Sequence, residues 1–401
     1  MTKTFSSLRH RNFRLFFIGQ SISNSGNWLT TVALTLLVLK LAGTGVGVGF
    51  VAACQFGPML LLSAWGGAVA DRSDKRRLLL VTQSLEMLQS IGLAALAFMP
   101  RPPLAGLYAL ATLGGVLLSF DNPLRRSFVT EMVPAGDLSN AVVLYSTIVN
   151  LSRIFGPALA GLLIVTVGYG WCFTLDAASY VAVLACLVMM RPADLHRAAS
   201  ASGTKATVAD SVRYVRSVPE LRNSFAMLAP ISMLAYNFNV TLPLFVTRSL
   251  HAAEGTFTML YSVLGCGSVA SALVIAHREL TTMRDIVRGA VAFVAALLLL
   301  AAVPGTCAAI PAAFLVGAAS IVYMTSTTAI VQVRGRREMH GRVLALQMVF
   351  LGGSAAVGGP LLGWIADTAG ARALMLIGGV TCLAAAAFGA LAVRASRGTP
   401  I

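Results

Sequence analysis

The chain alternates long apolar runs with short polar turns, and the runs have the length of membrane-crossing helices. A helix needs about 20 mainly apolar residues to cross the hydrocarbon core of a bilayer. The pattern predicts twelve such spans, which use most of the 401 residues. They fall at residues 13–39, 46–70, 78–99, 104–122, 140–166, 171–190, 224–247, 256–276, 287–304, 307–331, 343–366 and 373–394.

Positive charge is distributed unevenly over the turns. If both chain ends lie inside, 25 of the 30 Lys and Arg residues fall on the inner side, including Arg125 and Arg126. The outer turns hold only Lys40, Arg101, Arg248 and Arg372. Because cytoplasmic loops retain Lys and Arg, the pattern predicts a multi-pass membrane protein with both termini in the cytoplasm.

Composition excludes a soluble domain. Hydrophobic residues make up 57% of the chain and charged residues 11%, whereas soluble domains carry about a quarter charged residues. The net charge of +15 sits in short loops beside apolar spans, where anionic lipid headgroups are the nearest partner. We therefore expect contact with membrane lipid and no binding of nucleic acid.

Two parts of the chain repeat one plan. Gly156, Pro157 and Gly161 in span five recur as Gly359, Pro360 and Gly363 in span eleven. The repeat predicts an all-α membrane protein whose twelve transmembrane helices form two pseudo-symmetric six-helix bundles, at residues 1–190 and 223–401. Residues 191–222 read as a cytoplasmic linker, with a small polar run at 198–207. Val208, Val212, Val215 and Leu221 then predict an amphipathic helix on the inner surface.

The side chains do not favour an enzyme. The five histidines fall in loops or at span ends, and the six cysteines are scattered without a C-x-x-C pair. Neither pattern predicts a metal site, and no phosphate-binding G-x-x-x-x-G-K-[ST] loop occurs. Gly45, Gly47 and Gly49 open a span, where glycine allows close helix packing. A repeated pair of bundles favours a transporter that works by alternating access, and no cofactor is expected.

The turn between spans two and three carries a recognisable motif. Residues 67–77 read G-A-V-A-D-R-S-D-K-R-R, which closely resembles the G-x-L-A-D-R-x-G-R-[KR]-[KR] signature of the major facilitator superfamily. The matching positions are Gly67, Asp71, Arg72, Lys75, Arg76 and Arg77. The resemblance implies that Asp71 caps a helix end in the opposite half and latches a cytoplasmic gate. Asp74 departs from the signature, which usually has Gly there.

A second resemblance is more specific. Residues 120–126, 131–134, 138–141 and 153–161 look like the exporter branch that contains the bacterial enterobactin exporter and macrolide-efflux proteins. This resemblance implies export of a small molecule driven by an ion gradient, usually of protons. It also implies a monomeric transporter in a bacterial cytoplasmic (inner) membrane. Gly156, Pro157 and Gly161 partly match the antiporter motif of drug exporters, and such a proline lets a helix bend. A passive kink is the alternative.

The superfamily resemblance also implies where a substrate binds, because spans one, four, seven and ten line its cavity. Polar residues at mid-depth are the candidates. They are Gln20, Asn24 and Asn27 in span one, Tyr236, Asn237 and Asn239 in span seven, and Tyr323, Met324, Thr325 and Thr328 in span ten. Such a lining suits a small amphiphilic substrate. Hydrogen bonding between helices is the alternative role for each residue.

Few charged residues fall inside the predicted spans. Glu86 is the first candidate for a proton carrier, because a carboxyl removed from water favours its protonated form. Pairing with a cation is its alternative. Arg153 either holds an anionic substrate or neutralises a carboxylate, and Asp176 caps or bonds between helices. Span four, predicted at residues 104–122, lacks the mid-membrane arginine that many proton-coupled drug exporters have, so their coupling scheme is not carried over to this sequence.

We therefore interpret the sequence as a secondary active exporter of small amphiphilic molecules, either drug-like compounds or a siderophore. Proton antiport is the expected mechanism. Three alternatives are a lysophospholipid flippase of the same superfamily, a solute importer, and a receptor or pore without transport. The motif at 67–77 argues against the third.

Overall fold

The computed structural model describes residues 3–196, 208–275, 282–336 and 339–395, and this part of the chain is helical without strands. It contains 12 helical segments long and apolar enough to cross a membrane. They follow the order of the predicted spans, so the all-α membrane fold is confirmed. The predicted linker run at residues 198–207 lies outside the described residues.

Contacts divide the chain into two compact units. The first comprises Met1–Leu41 and Cys54–Thr204, and the second comprises Ala42–Ala53 and Lys205–Ile401. The first unit contains α1 (Arg11–Ala42), most of α2 (Gly45–Arg72), α3 (Lys75–Ala97), α4 (Leu104–Met132), α5 (Leu138–Thr166) and α6 (Tyr169–Met189). Helix α2 is shared, because its first residues group with the second unit.

The core of the first unit is aromatic and aliphatic. Phe13 and Phe16 of α1 are buried with Leu79 of α3 and with Leu124 and Phe128 of α4. The rings of Phe16 and Phe128 meet edge to face, with centroids 6.0 Å apart. This packing fixes α1, α3 and α4 against one another, and these three helices carry the polar cluster described below.

The second unit holds the remaining helices. They are α7 (Val208–Ser217), α8 (Pro219–Leu234), α9 (Phe238–Arg248), α10 (Glu254–Ile275), α11 (Met283–Ala302), α12 (Thr306–Arg334), α13 (His340–Ala369) and α14 (Ala371–Ala395). Helix α7 is the predicted amphipathic helix, and its Val215 is buried. Leu221, which we assigned to the same helix, belongs instead to α8 and is also buried.

Span four differs from its prediction. Helix α4 continues through Asp121 and Arg125 to Met132, and both charged side chains are buried. Our placement of Arg125 among inner loop cations was wrong, as was the expectation that span four holds no arginine. The cause is a buried ion pair. Two charged residues interrupt the apolar run in the sequence, but in the structure they pair with each other, so the helix can continue within the membrane.

Span seven is discontinuous. Helix α8 ends at Leu234 and α9 begins at Phe238, where a single helix over 224–247 was predicted. The side-chain nitrogen Nδ2 of Asn237 donates to the carbonyl oxygens of Met233 at 2.6 Å and Ser232 at 3.4 Å. These bonds satisfy carbonyls that the break removes from the helical ladder. Discontinuous helices inside a membrane are typical of substrate sites in transporters.

Candidate functional site

A buried charge cluster lies in the first unit, centred on Arg125 of α4. Its guanidinium forms an ion pair with Asp121, one turn earlier on the same helix. A second ion pair joins Arg125 Nη2 to Glu86 Oε2 of α3 at 3.3 Å. The side chains of Arg125, Asp121 and Glu86 are 4%, 0% and 6% exposed. Glu86 therefore has the cationic partner that the sequence left as an alternative.

Neutral polar side chains complete the cluster. Arg125 Nη1 donates to Gln20 Oε1 of α1 at 2.8 Å. On α3, the Gln83 amide donates to Asp121 at 2.7 Å and to Glu86 at 2.9 Å, and the Thr82 hydroxyl donates to Asp121 at 3.2 Å. Gln20, which we predicted as a cavity residue, is thus 1% exposed and serves the charge cluster.

The charges in this cluster do not balance. Two carboxyl groups share one guanidinium, and an uncompensated buried charge is costly. One proton bound by either carboxyl makes the cluster neutral. The arrangement can therefore take up and give back a single proton, provided that another state of the protein admits water or substrate to it.

Asp176 of α6 is a second buried carboxyl in the same unit, 1% exposed. Its Oδ2 accepts hydrogen bonds from Thr30 of α1 at 2.6 Å and from Ser90 of α3 at 2.8 Å. A Cβ on Gly26 would overlap Asp176, so glycine is needed where α1 passes α6. The predicted role of Asp176 in bonding between helices agrees with these contacts.

The other span-one candidates face the same interior or its edge. The Tyr180 hydroxyl donates to Asn27 Oδ1 at 3.0 Å. Asn24 is half-buried, and its side-chain amide donates to the Gln20 carbonyl at 2.7 Å.

Arg153, the charged candidate of span five, is exposed on α5.

In the second unit, the span-seven candidates lie at the helix break, and the span-ten candidates lie along α12. The Tyr236 hydroxyl donates to the Ser320 carbonyl of α12, and Asn237 is 6% exposed. Asn239, Met324 and Thr328 are half-buried, and Thr325 is exposed. Tyr323 is fully buried. Gln347 of α13, which the sequence analysis missed, donates to the Thr328 hydroxyl at 3.1 Å.

The motif at 67–77 forms the end of α2 and the start of α3. Lys75 Nζ pairs with Glu131 of α4 at 2.5 Å, and Arg76 Nε donates to the Leu187 carbonyl of α6 at 2.8 Å. Arg72 and Arg77 are exposed, and Gly67 is half-buried with room for a Cβ. The side chain of Asp71 lies outside the described residues, so its implied latch stays a prediction.

Asp74 takes a specific role in that turn. Its backbone is extended, with φ −66° and ψ 103°, and its Oδ1 accepts the Arg77 amide at 3.1 Å as the N-cap of α3. Because this conformation suits any residue, the glycine of the superfamily signature is not required here. Aspartate is among the preferred N-cap residues, so the substitution stabilises the helix start.

The Gly-Pro segments lie at close helix contacts. A Cβ on Gly156 would overlap the Trp28 side chain of α1. Pro157 and Gly161 are buried inside α5. In the second unit, Gly359 and Gly363 of α13 pack directly on Gly49 and Gly45 of α2, with Pro360 between them. The predicted packing role of the glycines at 45 and 49 agrees with this contact.

Sequence reasoning missed Asp121, Arg125 and Gln83, although a signal was present. Thr82, Gln83, Glu86 and Ser90 recur at helical spacing along one face of α3. A polar stripe in an otherwise apolar span implies polar partners on a neighbouring helix. Asp121 and Arg125, four residues apart, were those partners.

Comparison with known families decides the class. Residues 2–397 match the family described as transmembrane secretion effector, within the major facilitator superfamily. The chain belongs to this family. It is a multi-pass membrane transporter, and neither the family nor the fold is that of an enzyme.

Two curated relatives are transporters of siderophores. The staphyloferrin A transporter of Staphylococcus aureus is 28% identical over 265 residues, which cover 65% of this transporter and 66% of that protein. The enterobactin exporter of Salmonella typhimurium is 26% identical over 183 residues, covering 45% and 44%. The chain thus aligns with less than two thirds of the length of each relative.

Solved structures share the fold at low sequence identity. A bacterial homologue of the human lysosomal transporter Spinster has a TM-score of 0.75 at 14% identity, with 96% of this transporter and 97% of that chain covered. A D-xylose–proton symporter has a TM-score of 0.71 at 14% identity, with 96% of each chain covered. These likenesses establish the fold alone.

Proposed function

We propose that this transporter exports a small amphiphilic molecule of the siderophore class in exchange for protons. The charge cluster of Glu86, Asp121 and Arg125 carries the proposal, because two buried carboxyls on one guanidinium can bind one proton. The relatives that handle staphyloferrin A and enterobactin support the substrate class. The name of the enterobactin exporter supports the outward direction.

The proposed cycle follows from the cluster's charge. When Glu86 or Asp121 is protonated, the cluster is neutral and Arg125 is held by the other carboxyl. Loss of the proton leaves a net negative charge, which favours a state in which water or a cationic or polar part of the substrate reaches the cluster. Substrate and proton thus bind alternately to the same cluster, and this coupling between the two binding events is the thermodynamic basis of antiport.

The proposal extends to the location and oligomeric state of the transporter. The transporter lies in a bacterial inner membrane as a monomer with both termini in the cytoplasm, in contact with membrane lipid and without nucleic acid. Drug-like compounds, the other substrate class that the sequence predicts, are tested in the experiment below.

Transport into inverted membrane vesicles tests the proposal. With an acidic interior, vesicles containing the transporter are expected to accumulate enterobactin, and a proton ionophore is expected to stop this. Glu86→Gln and Asp121→Asn should each abolish the dependence on the pH gradient. Arg126→Gln is the matched control, because Arg126 is the exposed neighbour of Arg125.

The alternative functions give different outcomes. Accumulation of a fluorescent cationic dye without enterobactin would indicate a drug exporter, and movement of labelled lysophospholipid alone would indicate a flippase. Gradient-driven uptake of enterobactin into right-side-out vesicles would indicate an importer. Each result would overturn the proposed substrate class or direction.

A further inference from the structure

Asp367, at the C-terminal end of α13, bonds to the start of α2 within the second unit. The amide nitrogen of Gly45 donates to Asp367 Oδ1 at 2.6 Å, and that of Val46 donates to Oδ2 at 2.9 Å. These are the first two residues of α2, whose amides have no partner in the helix itself. An anion at this position is also favoured by the helix dipole.

Arg248, the last residue of α9, joins the same group. Its Nη1 donates to Asp367 Oδ1 at 2.6 Å, and its Nη2 donates to the Gly43 carbonyl at 2.9 Å. Arg248 thus connects the carboxylate of α13 with the turn that precedes α2. We name Gly43, Gly45, Val46, Arg248 and Asp367 the Asp367 cluster.

Close backbone packing surrounds the Asp367 cluster. A Cβ on Gly45 would overlap the Gly363 carbonyl, and a Cβ on Gly49 would overlap the Gly359 carbonyl. The two helices therefore meet through glycines four residues apart on each side, the spacing that lets helix backbones touch. Ala52, one turn further along α2, is 4% exposed and lies at the same contact.

The position of α2 gives this contact a mechanical meaning. Residues up to Ala53 group with the second unit and residues from Cys54 onward with the first, although α2 is one helix. A movement of one unit against the other must either bend α2 or separate its first residues from α13. The side chains of Arg248 and Asp367 are 29% and 24% exposed, so their ion pair is partly screened by solvent and can be broken reversibly.

The sequence at the end of α13 repeats a sequence found at the end of α2. Residues 363–367 read G-W-I-A-D at the end of α13, and residues 67–71 read G-A-V-A-D at the end of α2. Both helices therefore end on the same Gly-x-x-Ala-Asp sequence, and in α13 this sequence places Gly363 at the contact with α2 and Asp367 four residues beyond it.

We propose that Asp367 and Arg248 form a reversible latch, which holds the start of α2 against the end of α13 and opens in each transport cycle. The two side chains are positioning residues for the conformational change, and they do not need to touch the substrate. By the distribution of positive charge, the latch lies at the outer face of the membrane.

Labelling of a buried cysteine tests the latch without any substrate. Ala52→Cys is introduced, and its reaction with N-ethylmaleimide is followed on the purified full-length protein in detergent by mass spectrometry of its peptide. Opening of the latch exposes this position. Asp367→Asn and Arg248→Gln are each expected to speed the reaction about three- to tenfold, because each removes a charged hydrogen bond from the closed state. Arg248→Lys should restore part of the slow rate.

Two controls test whether a change in rate is specific to the buried position and to the Asp367 cluster. Thr44→Cys is exposed already, so its rate should not change in the same variants. Thr368→Ala alters the neighbour of Asp367 without touching the cluster, and it should leave the Ala52→Cys rate at its reference value. An Ala52→Cys rate that is unchanged in both Asp367→Asn and Arg248→Gln overturns the latch. An equal rise in Thr368→Ala also overturns it.

Discussion

Replacing Arg125 with glutamine is expected to abolish gradient-driven transport and to destabilise the first unit strongly. The change leaves Glu86 and Asp121 buried without their cation, and removing one partner of a buried ion pair costs about 3–5 kcal/mol. Thermal unfolding of the purified protein in detergent, followed by tryptophan fluorescence, measures the loss. Arg126→Gln, which changes an exposed arginine on the same helix, should unfold at the reference temperature.

A neutral triple variant separates folding from coupling. Arg125→Gln combined with Glu86→Gln and Asp121→Asn removes all three charges while keeping the side-chain shapes similar. It should recover much of the stability lost in Arg125→Gln, because no unpaired charge is left buried. It should not recover transport driven by a pH gradient. If the triple variant is as unstable as Arg125→Gln, unbalanced charge is not the cause of the instability.

Replacing Gly317 with valine is expected to destabilise the second unit. A Cβ at this position in α12 would overlap the Leu264 carbonyl of α10, and a Cβ on Gly267 of α10 would overlap the Phe314 carbonyl of α12. The Ser268 hydroxyl also donates to the Gly317 carbonyl at 3.1 Å. The two helices touch through their backbones, so a larger side chain must separate them.

Overpacking of this kind costs about 1–3 kcal/mol, which should appear as a lower thermal unfolding temperature in detergent. Gly305→Ala is the matched control, because a Cβ there meets no atom within 4 Å. Its φ of −170° is extended backbone that alanine can adopt. Equal unfolding temperatures for Gly317→Val and Gly305→Ala would show that the α10–α12 contact tolerates a wider spacing than the structure has.

The spans were predictable because each is long enough to cross a bilayer and is bounded by charge. The charge cluster was only half predictable. Glu86 stands out as an acid inside an apolar run, but Asp121 and Arg125 made span four look shorter than it is. Only the three-dimensional structure shows that Arg125 pairs with both Asp121 and Glu86. The apolar pattern of a single helix cannot predict an ion pair with a neighbouring helix.

Contacts in the second unit were also not predictable from the sequence alone. Tyr236 and Asn237 were chosen for their polarity, yet the break in the helix between α8 and α9 was not predicted. Asp367 falls just beyond the predicted span at 343–366 and was given no role, and Arg248 was placed among the outer loop cations. Their contact joins residues more than one hundred positions apart, which local patterns do not encode.

Proton release on substrate binding tests the central claim most directly, because it reads the cluster without a membrane gradient. Enterobactin is added to the purified transporter in weakly buffered detergent, and a pH indicator follows the solution. The account predicts release of protons by the unaltered chain and by Arg126→Gln, and no release by the Glu86→Gln, Asp121→Asn double variant. Substrate binding with equal release from the double variant, or with none from the unaltered chain, would contradict it.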